Sequence, residues 1–463
     1  MAKVTPKVAV SVVFVCSMFV SILDTTIVNV ALPRMAESFG VPVGGVGAIV
    51  TGYLVSLAVV IPASGWLADR FGYRKVFLAA IAIFTLASAL CGLAQNEGQL
   101  IAFRVLQGVG GGMMTPVGFA MLLREFPPAE RLRANQVLMV PTALAPACGP
   151  VVGGLLVDTV GWRWVFYVNL PIGIAAFLFG LFTLPDHGGR SAGRFDLAGF
   201  VLAGAGFAGV MYALTEGSAL GWTSPEILGA ALGGLVLLVL LVRVETRKAE
   251  PMVRFALYGD RLFRRTSGAA ILSTAGFMGV LFLVPLTLQA SRELSALQAG
   301  LCVFPEALGV MLGSRLMNRP YSRFGPRRLM AGALGVVALL ISLAGVVPLP
   351  VLPVVMFALG YVMAHVFGSV TAAAFATVPA ASSAQASTLF NAQRQLGAAL
   401  GVATAATCLT AASGAGGHRW AFAVTAVFSL LGALLSLRIP DEDAAATMGV
   451  AGSAGRKTKA APA

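Results

Sequence analysis

The apolar residues of this chain fall into long runs that short polar or charged segments separate. A helix that crosses a bilayer needs about 20 mostly apolar residues, and fourteen stretches of the chain come close to that length. Turn residues or charges break the runs, for example at Pro33-Arg34 and at Pro127-Pro128. The pattern predicts membrane-spanning helices near residues 8–33, 44–66, 76–94, 100–123, 134–157, 164–184, 197–214, 227–243, 267–288, 298–317, 329–347, 351–373, 388–412 and 420–437.

The composition supports a chain that lies in lipid. Of its 463 residues 58% are hydrophobic and 11% are charged, whereas soluble domains carry about 25% charged residues. This excludes a water-soluble enzyme and makes the lipid bilayer the first partner. The 54 glycines suit close packing of helices in lipid. We expect free thiols, and neither a metal nor another cofactor, because five cysteines without metal-ligand spacing lie in the apolar runs: Cys16, Cys91, Cys148, Cys302 and Cys408.

The basic residues predict the orientation in the membrane. With the N-terminus inside, we count 27 of the 32 Lys and Arg in inner segments, four in outer loops, and Arg104 within a span. This asymmetry follows the positive-inside rule. It accounts for the net charge of +13 without a nucleic-acid partner, and it predicts an even number of spans with both termini in the cytoplasm.

A repeat divides the chain. The segment Asp69-Arg-Phe-Gly-Tyr-Arg-Lys75 recurs as Ser322-Arg-Phe-Gly-Pro-Arg-Arg328, each time after the second span of a six-span block. Internal repeats of helix bundles are the usual plan of secondary transporters. We therefore predict an all-α polytopic membrane protein of fourteen transmembrane helices, in which two six-helix bundles flank two additional central helices. The predicted parts are 1–184, the insertion with its cytoplasmic linker at 185–266, 267–437, and a disordered cytoplasmic tail at 438–463.

The first copy of the repeated loop resembles motif A of the major facilitator superfamily. It reads Gly65-Trp-Leu-Ala-Asp69-Arg70-Phe-Gly72-Tyr-Arg74-Lys75. The span count and the motifs below are similar to those of the fourteen-span drug:proton antiporters of that superfamily. The resemblance implies that this loop is a gate that latches the cytoplasmic side shut. An acid such as Asp69 is suited to a helix N-terminus or to an arginine. Ser322 replaces Asp69 in the second copy, so we expect one strong latch.

A second motif lies in the first span. The segment Leu23-Asp24-Thr-Thr-Ile-Val-Asn29-Val-Ala-Leu-Pro33 is similar to the signature of the first helix of this group. A carboxylate inside a span is costly and is a functional candidate by default. Proton uptake and release is the role that burial of such a carboxyl supports. The alternative is a structural Asp24 that is hydrogen-bonded to a neighbouring Thr or Asn.

Two more motifs follow in the fourth and fifth spans. Arg104-Val-Leu-Gln107-Gly-Val-Gly110 resembles motif B, whose arginine is implicated in proton transfer in the family. The alternative is a packing arginine bonded to carbonyl groups. Ala145-Pro-Ala-Cys-Gly149-Pro150-Val-Val-Gly153-Gly154 is close to motif C, the antiporter signature, with Ala145 in place of its usual leading glycine. The resemblance implies a kinked helix that seals the outer side or acts as a hinge, with Gly149, Pro150, Gly153 and Gly154 as the residues that shape it.

The second half contains two further buried ionisable residues. Glu306 lies in the tenth span and His365 in the twelfth. We include both with Asp24 and Arg104 as candidates for proton coupling; the alternative is that each is a satisfied packing residue. The candidate residues of a substrate cavity are Asn29, Gln107, Phe277, Tyr361 and Met363.

The resemblance implies a proton-coupled antiporter that exports lipophilic small molecules, such as drugs and antibiotics, across the cytoplasmic membrane. Its partners would be the substrate, protons and lipid, and it would act as a monomer. One alternative is an uptake permease of the same fold, which motif C disfavours. Another is a membrane-embedded enzyme or assembly factor for lipid-linked substrates, for which the sequence offers no nucleophile–base pair in a loop.

Overall fold

The structure is a computed structural model. It describes residues 5–41, 47–127, 130, 144–146, 148–149, 151–186, 195–248, 251–292, 294, 296–379, 382–411 and 417–448. Within these ranges the chain forms helices and no strand. The first six helices are α1 (Pro6–Phe39), α2 (Gly47–Phe71), α3 (Tyr73–Leu93), α4 (Glu97–Glu125), α5 (Leu144–Thr159, which runs over the undescribed positions 147 and 150) and α6 (Trp164–Thr183).

Eight more helices follow in chain order. Two of them, α7 (Leu197–Leu220) and α8 (Pro225–Glu245), form the insertion. The remaining six are α9 (Arg261–Arg292), α10 (Ala296–Leu316), α11 (Asn318–Ala344), α12 (Leu352–Ala374), α13 (Ser383–Ala411) and α14 (Gly417–Ser436).

Twelve helices of the described chain are long and apolar enough to cross a membrane. The predicted count of fourteen spans is higher by two, because it includes α5 and α13. Helix α5 is too short over its described stretch. Helix α13 is 29 residues long but is not among the twelve. It carries Arg394, which our count assigned to an inner segment; that assignment was wrong, since Arg394 lies eleven residues inside the helix.

The two halves pair their helices in the same way. Helix α2 packs against α4 as α10 packs against α12, α3 against α4 as α11 against α12, and α1 against α6 as α9 against α14. The repeated loops also share a backbone feature. Gly72 and Gly325 hold the same position in the repeat, and their φ angles are +92° and +72°, a region that favours glycine. Sequence repeat and structural repeat therefore coincide.

Glycines set the closest helix crossings in both halves. A methyl group at Gly108 or at Gly112 of α4 would overlap the backbone of α2. The corresponding pair in the second half is just as close: a methyl group at Gly360 of α12 would overlap the backbone carbonyl of Glu306 in α10. Lipid provides no hydrophobic force that drives helices together, so such backbone approach is a main source of packing energy.

The inserted hairpin α7–α8 spans the seam between the halves. Helix α7 packs against α2 of the first half and against α13 of the second. Thr51 of α2 donates a hydrogen bond to Glu216 of α7 (2.5 Å), and the Trp222 indole N–H donates to Thr407 of α13 (2.8 Å). The insertion thus contacts both bundles at the end of the molecule away from Asp69.

The predicted disordered tail is wrong for its first part. Residues Glu442–Thr447 form a 3₁₀ helix. Asp441 accepts a hydrogen bond from the backbone N–H of Arg327 (2.8 Å), beside Gly325. Arg261 donates to Asp443 (2.7 Å), and these hydrogen bonds lower the pKa of Asp443. The acids that follow Pro440 therefore hold this segment against the second repeated loop.

Substitution Gly360→Ala tests the glycine crossing. We expect it to destabilise the protein by about 1–3 kcal/mol, the usual cost of overpacking, because the added methyl overlaps the backbone of α10. The measurement is thermal unfolding of the purified full-length protein. The control is Gly335→Ala in α11, where nothing lies within 4 Å of the added carbon. Equal stability of the two variants would contradict the packing role of Gly360.

Candidate functional site

The two charged residues of the first-half spans form an ion pair. Arg104 of α4 donates to a carboxylate oxygen of Asp24 in α1 at 2.5 Å. Both side chains are almost fully buried, with exposures of 1% and 0%. Arg104 also donates to the backbone carbonyl of Ile49 at the start of α2 (3.3 Å). The guanidinium lies over the ring of Tyr53, 4.2 Å from its centroid. The alternative of an arginine bonded to carbonyls alone is therefore incomplete.

Three uncharged side chains complete this network. The Gln107 amide (2.9 Å) and the Asn169 amide (2.9 Å) each donate to the second carboxylate oxygen of Asp24. Both amides also donate to the hydroxyl of Ser88 in α3. Asp24 therefore accepts bonds from α4 and α6, and every member of the network is buried. We call Asp24, Ser88, Arg104, Gln107 and Asn169 the Asp24 network.

Two members of the Asp24 network were not predicted from the sequence. Ser88 and Asn169 belong to no motif that we recognised, and uncharged polar residues are common in the predicted spans. The one signal that could have found them is the rule that a buried ion pair needs further hydrogen bonds to offset its desolvation. Gln107, predicted as a residue of the substrate cavity, lies instead in this network with 0% exposure.

Motif C packs against α1 beside Asp24. A methyl group at Gly149 would overlap the side chain of Thr26, and one at Gly153 would come within 2.9 Å of Ile27. These two glycines therefore allow α5 to approach α1 closely. Gly154 has nothing within 4 Å of the position of an added carbon. Pro150, the predicted kink residue, lies outside the described residues.

Motif A joins the two halves at the opposite end. Asp69 of α2 is 7% exposed, and it accepts hydrogen bonds from the amide of Gln385 in α13 (2.9 Å) and from the hydroxyl of Tyr73 (2.7 Å). Arg124, at the end of α4, lies 3.9 Å from Asp69 and stacks on the Tyr73 ring, 3.7 Å from its centroid. The predicted partners, an arginine and a helix N-terminal turn, both contact Asp69.

The same end of the bundle is tightly closed around Gly65. A carbon added there would come within 2.9 Å of the Thr388 hydroxyl in α13. Thr388 in turn contacts the hydroxyl of Ser64 (3.2 Å), and Ser387 donates to the carbonyl of Pro116 in α4 (2.8 Å). We call this contact of α13 with α2 and α4 the Asp69 closure.

The other polar residues of motif A lie at its margin. Arg74 donates to the backbone carbonyl of Leu181 in α6 (2.6 Å), so it ties the loop to its own half. Arg70 and Lys75 are exposed. Their charge is available to the solvent or to lipid headgroups.

The candidates of the second half are not joined to the Asp24 network by any hydrogen bond or ion pair in the described chain. Glu306 is 3% exposed, and its Oε1 has no hydrogen-bond partner among the described residues. His365 is 5% exposed; its Nδ1 lies 2.9 Å from the carbonyl of Tyr361, and its ring contacts that of Tyr361. The packing alternative thus fits His365 better than Glu306.

The remaining candidate cavity residues differ in their surroundings. Met363 is fully buried, and Tyr361 is half-buried against His365. Phe277 of α9 packs edge-on against Phe367 of α12, with ring centroids 5.3 Å apart. Asn29 is exposed on α1.

Arg394 was also not predicted as an ionisable residue within a helix. It lies on α13, and its guanidinium carbon lies 5.3 Å from the centroid of the Phe367 ring. Its Nε has no hydrogen-bond partner in the part of the chain that the structure describes. The second half thus contains an acid and a base that are both buried in part or in full and that do not pair with each other.

Comparison with known proteins places these features in a family. The profile of the Major Facilitator Superfamily matches residues 14–196, 189–402 and 266–460. The MdtD protein of Cronobacter sakazakii, named for multidrug resistance, is 35% identical over 445 residues, which are 92% of this chain and 93% of that protein. The multidrug resistance protein B homolog of Mycobacterium tuberculosis is 33% identical over 84% of this chain and 73% of its own length.

A solved structure supports the same fold. The human organic anion transporter MFSD10 superposes with a TM-score of 0.69 over 94% of this chain and 100% of that one, at 18% sequence identity. At this identity the likeness concerns the fold alone. Together with the repeated helix pairing, the buried ion pair and the Asp69 closure, these matches establish that the chain belongs to the Major Facilitator Superfamily, a family of membrane transporters.

Proposed function

We propose that this protein is a proton-coupled antiporter that exports lipophilic drug-like molecules across the cytoplasmic membrane of a bacterial cell, with both termini inside. The observation that carries the proposal is the buried Asp24–Arg104 pair, placed between the packing face of motif C and the start of α2. The names of the MdtD and protein B relatives support drug export. The excess of basic residues in the inner segments supports the orientation.

Protonation of Asp24 changes how the helices around the Asp24 network pack. When a proton binds to Asp24, the carboxyl loses its charge and Arg104 loses the partner that offsets its burial. Arg104 then has to find other acceptors, which moves α4 relative to α1. Helix α5 follows, because its glycines lie directly against the α1 residues that come after Asp24. Proton uptake is in this way coupled to the packing of α1, α4 and α5.

The Asp69 closure provides the second requirement of alternating access. In this conformation hydrogen bonds hold α13 against α2 and α4 at the Asp69 end. Rocking of the halves opens that end once Asp69 releases Gln385. Substrate then enters from the cytoplasm or the inner leaflet, and it leaves on the other side after the closure forms again.

Efflux of Nile red, an uncharged lipophilic dye, tests the function as a whole. The protein is expressed in a bacterial strain that lacks its own drug pumps, and dye loss is followed by fluorescence with and without a proton uncoupler. We expect net efflux that the uncoupler stops. Net dye accumulation would indicate an uptake permease, and efflux that ignores the uncoupler would contradict proton coupling.

Glu306 offers the cleanest test of a proton site. Because its Oε1 lacks a partner among the described residues, Glu306→Gln changes the proton chemistry while it preserves the shape. We expect uphill transport driven by an imposed pH difference in proteoliposomes to fall at least about tenfold, and downhill exchange to stay within about twofold. The matched control is Glu226→Gln on the exposed start of α8. Unchanged uphill transport would remove Glu306 from the proposal.

Substitution Asp69→Asn tests the closure as a gate. It removes the charge that faces Arg124 and weakens the bond from Gln385, so we expect transport to fall about tenfold or more at equal amounts of inserted protein. The exposed Asp158→Asn is the control.

A second measurement distinguishes a gate from a general loss of structure. In a background without the five native cysteines, Thr388→Cys should react slowly with a membrane-impermeant thiol reagent, because Thr388 is 3% exposed. Adding Asp69→Asn should raise that rate. Normal transport together with slow labelling in the double variant would show that Asp69 does not latch the halves.

A further inference from the structure

Arg394 lies on the same side of α13 as Ser387, a residue that contacts the first half. Ser387, seven residues earlier and therefore two helical turns away on the same face, contacts α4 through the carbonyl of Pro116. Asn391 lies between them and donates to the carbonyl of Ser387 (2.9 Å). Arg394 is thus about 10 Å along the helix from the contact with the first half at Ser387.

Among the described residues, no anion offsets the charge of the Arg394 guanidinium. It makes no ion pair or hydrogen bond within the described chain, and its contact is with the face of the Phe367 ring. Arg104 in the first half differs, since it has Asp24, Gln107 and the carbonyl of Ile49. An unpaired arginine charge in a membrane interior is costly, and such residues commonly mark a substrate or ion pathway.

The surroundings of Arg394 suit an aromatic molecule. Phe367, below the guanidinium, continues into Phe277 of α9 through the edge-on contact at 5.3 Å. Thr274 lies one helical turn before Phe277; it is 3% exposed, and its hydroxyl has no hydrogen-bond partner in the described structure. An apolar ring surface, a cation and a free hydroxyl therefore lie along adjoining turns of α9, α12 and α13.

We propose that Arg394 is the recognition point for an anionic group on the substrate, and that the protein therefore prefers lipophilic organic anions, in particular aromatic carboxylates. A planar guanidinium binds a carboxylate through two parallel hydrogen bonds, and the ring of such a substrate packs on Phe367 and Phe277. This inference rests on the proposed export of lipophilic molecules and names the substrate class of that cavity. A cationic substrate would face repulsion from Arg394.

Three probes with one aromatic body test this preference. Pyrenebutyrate, pyrenebutanol and pyrenebutyltrimethylammonium share the ring and differ in charge. Binding of radiolabelled pyrenebutyrate to the purified full-length protein is measured by scintillation proximity, and each compound serves as an unlabelled competitor. We expect the carboxylate to compete at concentrations at least about tenfold lower than the alcohol, and the ammonium compound to compete least.

Variants of Arg394 connect this preference to the residue. Arg394→Gln should lose at least about tenfold in affinity for the carboxylate while the alcohol competes as before. Arg394→Lys, which keeps the charge without the planar fork, should retain part of the preference. Arg315→Gln, an exposed arginine at the end of α10, is the control that should behave as the wild type.

The outcomes separate this inference from the proposed function. No saturable binding of the carboxylate by the wild type, equal competition by all three probes, or a preference that survives Arg394→Gln would overturn the anion site. The first two of these results need only the wild type, so they remain decisive even if a variant is unstable. Efflux of the uncharged dye Nile red from the same expression strain reports export independently. Export without carboxylate preference would overturn this inference only, and carboxylate preference without any export would overturn the function only.

Discussion

A charge inside a membrane protein needs a partner, and in the first half of this transporter that requirement determines the arrangement of four helices. Asp24 of α1 pairs with Arg104 of α4 at 2.5 Å, and amides from α4 and α6 donate to its other carboxylate oxygen. Removing one member of a buried pair typically costs about 3–5 kcal/mol. The pair is therefore both a structural tie and a group that a single proton can disrupt.

The halves share their helix pairing but differ in how they treat charge. The first half neutralises its buried charges internally. The second half holds Glu306 and Arg394 without an ion-pair partner in the described structure, on different helices. The closed end of the bundle is also asymmetric: Asp69 faces α13, whereas the second repeated loop is held by Asp441 from the C-terminal segment. The two halves thus share a scaffold and differ in the contacts of their charged residues.

The sequence could predict the charged residues that lie within apolar runs and the two repeated loops. Asp24 and Arg104 stand out because charges are rare in apolar runs. The repeat is visible in the sequence because the two loops that contain Gly72 and Gly325 have similar residues. Ser88 and Asn169 could not be predicted, because an uncharged polar residue in a span is ordinary and only the folded structure brings these two to Asp24. The partner of Asp69 at Gln385 depends on how the halves meet, which no local pattern reports.

Two errors have identifiable physical causes. Arg394 was counted with an inner segment although the predicted span at 388–412 contains it, and its position within the helix is what makes its charge significant. The segment that follows Pro440 appeared disordered because its composition is poor in large apolar residues. Its order comes from the contacts of its acids with Arg261 and with the loop at Gly325.

The central claim is that the Asp24–Arg104 pair couples proton uptake to transport and does more than stabilise the fold. The most direct test compares Asp24→Asn and Arg104→Gln singly with the double variant that carries both, for thermal stability, downhill exchange and uphill transport in proteoliposomes. We expect each single variant to be destabilised, and the double variant to recover stability and downhill exchange because no buried charge is left unpaired. Uphill transport by the double variant should remain absent, because the proton-binding carboxyl is gone. Full uphill transport by the double variant would show that the pair is only structural.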